Sequence, residues 1–182
     1  NLNKMENKLY QIAKQLQLVM EEELNENTVG TCYLSGHCLA IIFNQLGFES
    51  RKVTGRLALL MKSGKGKYAT YGSFPYKGKQ VGVYHTWCEV LVNNEIFIVD
   101  PSLKSNLKFT RKHFRIKTHP MVINDIAVTK TFDTYYYKYQ EDINLESRSN
   151  ESLRTLVTTR TINNLINITL DRVSNLELQL SA

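Results

Sequence analysis

Leu9, Ile12, Ala13, Leu16, Val19, Met20 and Leu24 recur three and four positions apart, which predicts an amphipathic helix over residues 3–24. A polar stretch, Asn25 to Gly30, follows it. Tyr33 to Leu46 is apolar almost all round, as in a buried helix, and Gly47 is its expected stop. Val53 to Met61 has strand composition. Residues 63–80 mix glycines and a proline with lysines and tyrosines, and read as a long mobile loop. Val81 to Val92 and Glu95 to Val99 read as two strands joined at Asn93-Asn94, a pair that tolerates the positive φ of a two-residue hairpin. Lys104 to Lys117 reads as basic and irregular, Met121 to Thr131 as a strand, and Thr134 to Tyr139 as another. A long C-terminal helix is expected from Asn150, a suitable N-cap with Glu151 in the first turn. Helices around a mostly antiparallel sheet make the class α+β.

The chain has 182 residues, which makes one domain the default. It divides into an N-terminal helix and linker (1–27), a core (28–102), further strands and loops (103–148) and a C-terminal helix (149–182). No apolar run approaches the roughly 20 residues of a membrane-spanning helix, and residues 1–20 do not read as a signal peptide. Three cysteines cannot all pair, so reduced thiols and a cytoplasmic location are expected, with no membrane partner.

The net charge of +6 conceals a segregation. Residues 1–50 sum to −3, residues 51–117 to +11 and residues 118–182 to −2. Lys62, Lys65, Lys67, Lys77 and Lys79 lie in or beside the expected loop ahead of His85, where they could steer an acidic substrate. A solvated loop whose lysines only aid solubility is the other reading.

Three pieces point to thiol chemistry. Cys32 falls at the start of the buried helix, where unpaired backbone N–H groups and the helix dipole favour negative charge on sulfur. The same N–H groups could bind an oxyanion. His85 and Asp100 are the other two pieces. A two-residue turn at Asn93-Asn94 opposes residues whose numbers sum to 187, so Trp87 faces Asp100. Alternation puts His85 on the face of Trp87, which makes His85 and Asp100 diagonal neighbours roughly 7–8 Å apart at the backbone. A carboxylate there can orient an imidazole and stabilise its charged form. A slip of one residue would place them on opposite faces.

Gly30-Thr31-Cys32-Tyr33, Leu46-Gly47-Phe48, Arg51-Lys52-Val53-Thr54-Gly55, His85-Thr86-Trp87-Cys88-Glu89-Val90 and Asp100-Pro101-Ser102 come in this order. Together they resemble the transglutaminase-like (papain-like) cysteine enzyme superfamily, over about residues 28–102. The resemblance implies a catalytic helix packed on an antiparallel sheet with flanking helices. It implies Cys32 as nucleophile, His85 as general base and acid, and Asp100 as orienting carboxylate, with Tyr33, Trp87 and Glu89 in support. Thr31 departs from the Gln that precedes the cysteine in the best-known members, which favours thiol-based hydrolysis over crosslinking. The expected activity is that of a hydrolase or acyl transferase acting on a peptide or protein amide through a thioester, with no cofactor.

An arylamine N-acetyltransferase-like enzyme and a non-catalytic domain holding an acidic partner are the alternatives. Cys38 and Cys88 are expected to be inert core thiols, and His37, His113 and His119 to be structural. Cys32, His37, Cys38, His85 and Cys88 lack the paired spacing of structural zinc, so no metal is expected. Tyr135, Tyr136, Tyr137 and Tyr139 fit a half-buried strand better than a base-stacking surface, so nucleic acid is not an expected partner.

Overall fold

The computed structural model describes residues 2–25 and 28–181. Glu26 and Asn27, in the polar stretch after the first helix, lie outside the described residues. Helix α1 (Leu2–Glu23) buries Leu9, Ile12, Ala13, Leu16, Val19 and Met20, the face that the spacing selects. Helix α2 (Cys32–Gln45) is buried on most sides. It ends in a Schellman motif, with Phe48 N–H donating to the Phe43 carbonyl at 2.9 Å and Gly47 N–H to that of Asn44 at 3.1 Å.

The strands are β1 (Glu49–Leu60), β2 (Lys67–Tyr71), β3 (Lys77–Gly82), β4 (His85–Val92), β5 (Glu95–Asp100), β6 (Ala127–Thr129) and β7 (Tyr137–Glu141). They form one seven-stranded sheet in the order β3-β2-β1-β4-β5-β6, with β7 also paired to β1. The β4–β5 hairpin turns at Asn93 and Asn94, with φ of 50° and 63°. Its partners, Val92 with Glu95 through Cys88 with Val99, keep the register expected for a two-residue turn.

The remaining helices are α3 (Leu103–Phe114), α4 (Glu146–Leu156) and α5 (Thr159–Ser181). Helices α1 and α2 cover one face of the sheet, over a core that includes Cys88, Val90, Phe97 and Val99, and α5 packs on both helices. The other core holds Val53, Leu57, Trp87, Ile98 and Leu103. The fold is therefore α+β, a mixed sheet with flanking helices. None of the described helices is long and apolar enough to cross a membrane.

Four expectations are corrected. Residues 63–80 hold β2 and most of β3, not a continuous loop. Residues 72–76 run back along β2, so β3 pairs with it in parallel and the otherwise antiparallel sheet is mixed. Residues 104–117 are mostly helix α3, whose Leu103, Leu107 and Phe114 pack on the second core at helical spacing. The single C-terminal helix is two: Val157 is extended, and the Thr158 hydroxyl accepts from Thr161 N–H to start α5. Asn150 lies inside α4, where its side chain accepts from Lys52 Nζ at 2.6 Å.

Candidate active site

Helix α2 delivers Cys32 to the sheet at its first residue. What brings it so close is Gly36, one turn on. A Cβ there would lie 2.9 Å from Thr86 Cγ2 and 3.1 Å from the Trp87 carbonyl oxygen, so only glycine lets α2 rest on β4 at this distance. His85 opens β4 and faces Gly55 of β1. Strand β7 meets β1 at the same residue, where a Cβ would stand 2.1 Å from the Gln140 carbonyl oxygen. Strand β7 thus continues the edge on which β4 begins, and this carries Tyr139 to the His85–Asp100 pair.

His85 Nε2 lies 2.7 Å from Asp100 Oδ2, and both side chains are fully buried. Asp100 receives three further donors. Tyr139 OH reaches Oδ2 at 2.8 Å, and the Ser102 hydroxyl and N–H reach Oδ1 at 2.7 and 3.0 Å. Burial alone would raise the Asp100 pKa, but the charge and hydrogen bond of His85 and the Ser102 and Tyr139 donors hold it below the usual carboxylate value. Burial alone would likewise lower His85. The charge and hydrogen bond of Asp100 outweigh it, Cys32 adds a smaller electrostatic contribution, and the imidazole is raised well above its ordinary range. The ring thus stands between a carboxylate at Nε2 and the nearby sulfur. Asn106 Nδ2 lies 3.4 Å from the other nitrogen, Nδ1.

Aromatic side chains wall the imidazole. Trp87 stacks with it at 6.2 Å between centroids, and Tyr71 and Tyr139 lie at 5.6 and 6.0 Å. Glu89 is buried, pairs with Arg51 at 2.7 Å and accepts from Trp87 Nε1 at 3.4 Å. Arg51 also grips Glu141 at 2.8 Å, tying β1 to both β4 and β7. Trp87 and Glu89 thus lie in one contact network with Arg51 along the strand that His85 opens. Tyr33 is buried beside Cys32, and its hydroxyl pKa is raised by burial and then by the Cys32 charge.

The other expected positions separate from this cluster. Cys38 and Cys88 are wholly buried, and burial raises the Cys38 thiol to about 12 and the Cys88 thiol further. Burial, and then the charge of Lys52, lower the His37 pKa, His113 packs on Phe109, and His119 stacks on Tyr136. Among the described residues no group of three or more His, Cys, Asp or Glu is placed to hold a metal ion. Lys62, Lys65 and Lys67 lie around the end of β1 and the start of β2, with Lys77 paired to Lys67 and Lys79 to Ala69 on β3. Tyr71, which reaches His85, is four residues along β2 from Lys67, roughly 13 Å at strand rise. Lys67 and its partner Lys77 thus lie at the far end of β2 from Tyr71, whereas Lys79, opposite Ala69, is two residues along β2 from it.

Two residues of the site escape sequence reasoning. Asn106 sits in a segment whose basic composition obscured its helical period. Tyr139 is one tyrosine among four, and only the pairing of β7 with β1 singles it out.

No family model matches the chain, and no curated protein matches it. Among solved structures, a crystal structure of a genomics target is similar over 91% of this chain and 78% of its own, with a TM-score of 0.52 at 12% identity. At that identity the likeness is one of fold. The α+β architecture is shared with a solved protein.

Proposed function

We propose that this protein is a cysteine-dependent hydrolase or acyl transferase, of the transglutaminase-like superfamily that its motifs resemble, acting on amide bonds. The observation that carries this reading is the buried His85–Asp100 contact of 2.7 Å, with Cys32 adjoining the same imidazole at the start of α2. The α+β fold is compatible with a papain-like core, in which the helix bearing the thiol packs against the sheet bearing the histidine.

The chemistry follows from the groups present. The Cys32 thiol gives its proton to His85 Nδ1, the ring nitrogen that does not face Asp100. Cys32 Sγ attacks the amide carbonyl carbon and forms a C–S bond. The carbonyl oxygen then carries negative charge. Leu34 and Ser35 N–H groups already donate to the Thr31 carbonyl at 3.0 Å. The Cys32 N–H precedes them, where helix geometry supplies no intrahelical acceptor, and it is the group suited to the oxyanion. Collapse breaks the C–N bond, and His85 gives its proton to the departing amine. The thioester is cleaved by water, with His85 again taking and returning the proton. An amine in place of water gives transfer. Asp100 stays ionised throughout and holds the imidazolium.

The test is to trap the acyl-enzyme. Glutamine peptides, peptidoglycan fragments and simple acyl donors are offered in turn, and intact mass is measured. The expected result is an adduct on Cys32 that hydroxylamine releases and that Cys32→Ala never forms. Turnover of an amide substrate by Cys32→Ala at the native rate would contradict the proposal.

A further inference from the structure

Asn106 enters the site from α3, and its backbone is fixed on both sides. Its N–H donates to the Ser102 carbonyl at 3.1 Å, and its carbonyl accepts from the Tyr71 hydroxyl at 3.2 Å. The residue is 3% exposed. Its amide nitrogen, Nδ2, lies 3.4 Å from Ser102 Oγ and 3.4 Å from His85 Nδ1. Both contacts are long for an N–H donor, so neither holds the amide firmly.

Ser102 determines which way this amide points. Its single hydroxyl hydrogen goes to Asp100 Oδ1 at 2.7 Å, because an ionised carboxylate can only accept. Ser102 Oγ therefore offers Asn106 a lone pair, and the side-chain nitrogen rather than the oxygen faces it. One Nδ2 hydrogen serves Ser102, and the other serves His85 Nδ1, the nitrogen to which the Cys32 proton passes. Once Nδ1 holds that proton it has no lone pair left, and a buried N–H loses the acceptor that the ring supplied. A buried donor without an acceptor is costly. At that moment negative charge appears on the carbonyl oxygen of the substrate, next to the carbon that Sγ has attacked.

We propose that Asn106 Nδ2 is the second oxyanion donor of this site, beside the Cys32 N–H. The inference rests on the thiol reading of the site and adds a catalytic residue to it. Cys32 Sγ bonds to the carbonyl carbon, one C–O electron pair moves onto the oxygen, and the thiol proton moves to His85 Nδ1. Asn106 transfers no proton. It gives the oxyanion the hydrogen bond that the protonated ring no longer accepts, and collapse of the intermediate releases it again. The phenols around Cys32 and His85 are engaged elsewhere. Tyr71 donates to the Asn106 carbonyl, Tyr139 to Asp100, and Tyr84 to Ser152, whose own hydrogen goes to the Arg148 carbonyl. Tyr33 packs into the first core.

The test compares two reactions of Cys32 in the full chain. p-Nitrophenyl acetate acylates the thiol through an oxyanion, and nitrophenolate release is read by absorbance. Iodoacetamide alkylates the same thiol by displacing iodide and forms no oxyanion. Asn106→Ala should lower nitrophenolate release about 100-fold and change the iodoacetamide rate less than about twofold. An equal loss in both rates would make Asn106 a positioning residue and overturn the proposal, as would acylation at the native rate. A second measurement does not depend on the folding of the variant. Acetylglycinal forms a hemithioacetal on Cys32 and places an oxygen where the oxyanion forms. In isotope-labelled native protein its addition should move the Asn106 side-chain amide protons downfield by NMR, and unmoved signals would contradict the assignment. Nitrophenolate release by Cys32→Ala at the native rate would instead remove the thiol reading, and this inference with it.

Discussion

Tyr139 and His85 meet at one atom, Oδ2 of Asp100, which the phenol reaches at 2.8 Å and the imidazole Nε2 at 2.7 Å. The carboxylate is thereby held from β7 and from β4 at once. Tyr139→Phe removes one donor and keeps the ring, which packs edge-on against Trp87. A hydrogen bond to a charged acceptor is worth about 1.5–3 kcal/mol. Urea unfolding should report a loss of that order, and Cys32 alkylation should slow less in this variant than in Asp100→Asn.

The buried pair fixes a pH dependence of stability. His85 is raised from its ordinary 6.5, so its contribution is complete below that value and is lost as pH rises through the folded-state pKa. Asp100 is lowered from 3.8, so its contribution is complete above that value and is lost as pH falls through its folded-state pKa. The pair is therefore fully stabilising between pH 3.8 and 6.5. Thermal midpoints of the native protein and Asp100→Asn should differ most in that window. The gap should narrow toward the alkaline side and at strongly acidic pH. A gap that widened steadily with pH would show that His85 is not raised.

Gly36→Ala tests the contact that seats α2. Its methyl would meet Thr86 Cγ2 at 2.9 Å and the Trp87 carbonyl at 3.1 Å. Overpacking of this kind costs about 1–3 kcal/mol. The variant should lose that much in urea unfolding and react more slowly at Cys32, because the helix must lift from β4.

Arg51 and Glu89 should respond unequally. The Glu89 side chain is 6% exposed and that of Arg51 56%. Arg51→Met leaves the buried Glu89 carboxylate with Trp87 Nε1 as its donor and, because the guanidinium is half exposed and screened by solvent, should destabilise by about 1 kcal/mol. Glu89→Gln leaves Arg51 with Glu141 and should cost less. Chemical denaturation of the two variants reads the difference directly.

The sequence made the centre of the fold legible and its flanks less so. The register of β4 on β5 followed from Asn93-Asn94, because a two-residue turn leaves one pairing, and that pairing put His85 and Asp100 on one face. Helix α2 was visible because its apolar residues run all round and Gly47 stops it. Strand β3 was hidden because it is an edge strand, exposed from Lys77 to Gln80, with no alternation to read. Helix α3 was hidden by its charge, although Leu103, Leu107 and Phe114 kept the period. Tyr139 and Asn106 act through long-range contacts that local patterns do not encode.

The most direct test of the central claim is the order in which the three thiols react. The native protein is treated with a limiting alkylating agent at about pH 6, where an unassisted thiol is well under about 1% thiolate, and the labelled sites are mapped by mass spectrometry. Cys32 should label well before Cys38 and Cys88, and His85→Ala should slow it about tenfold or more. Equal labelling of all three cysteines, or a Cys32 rate unmoved by His85→Ala, would contradict the account.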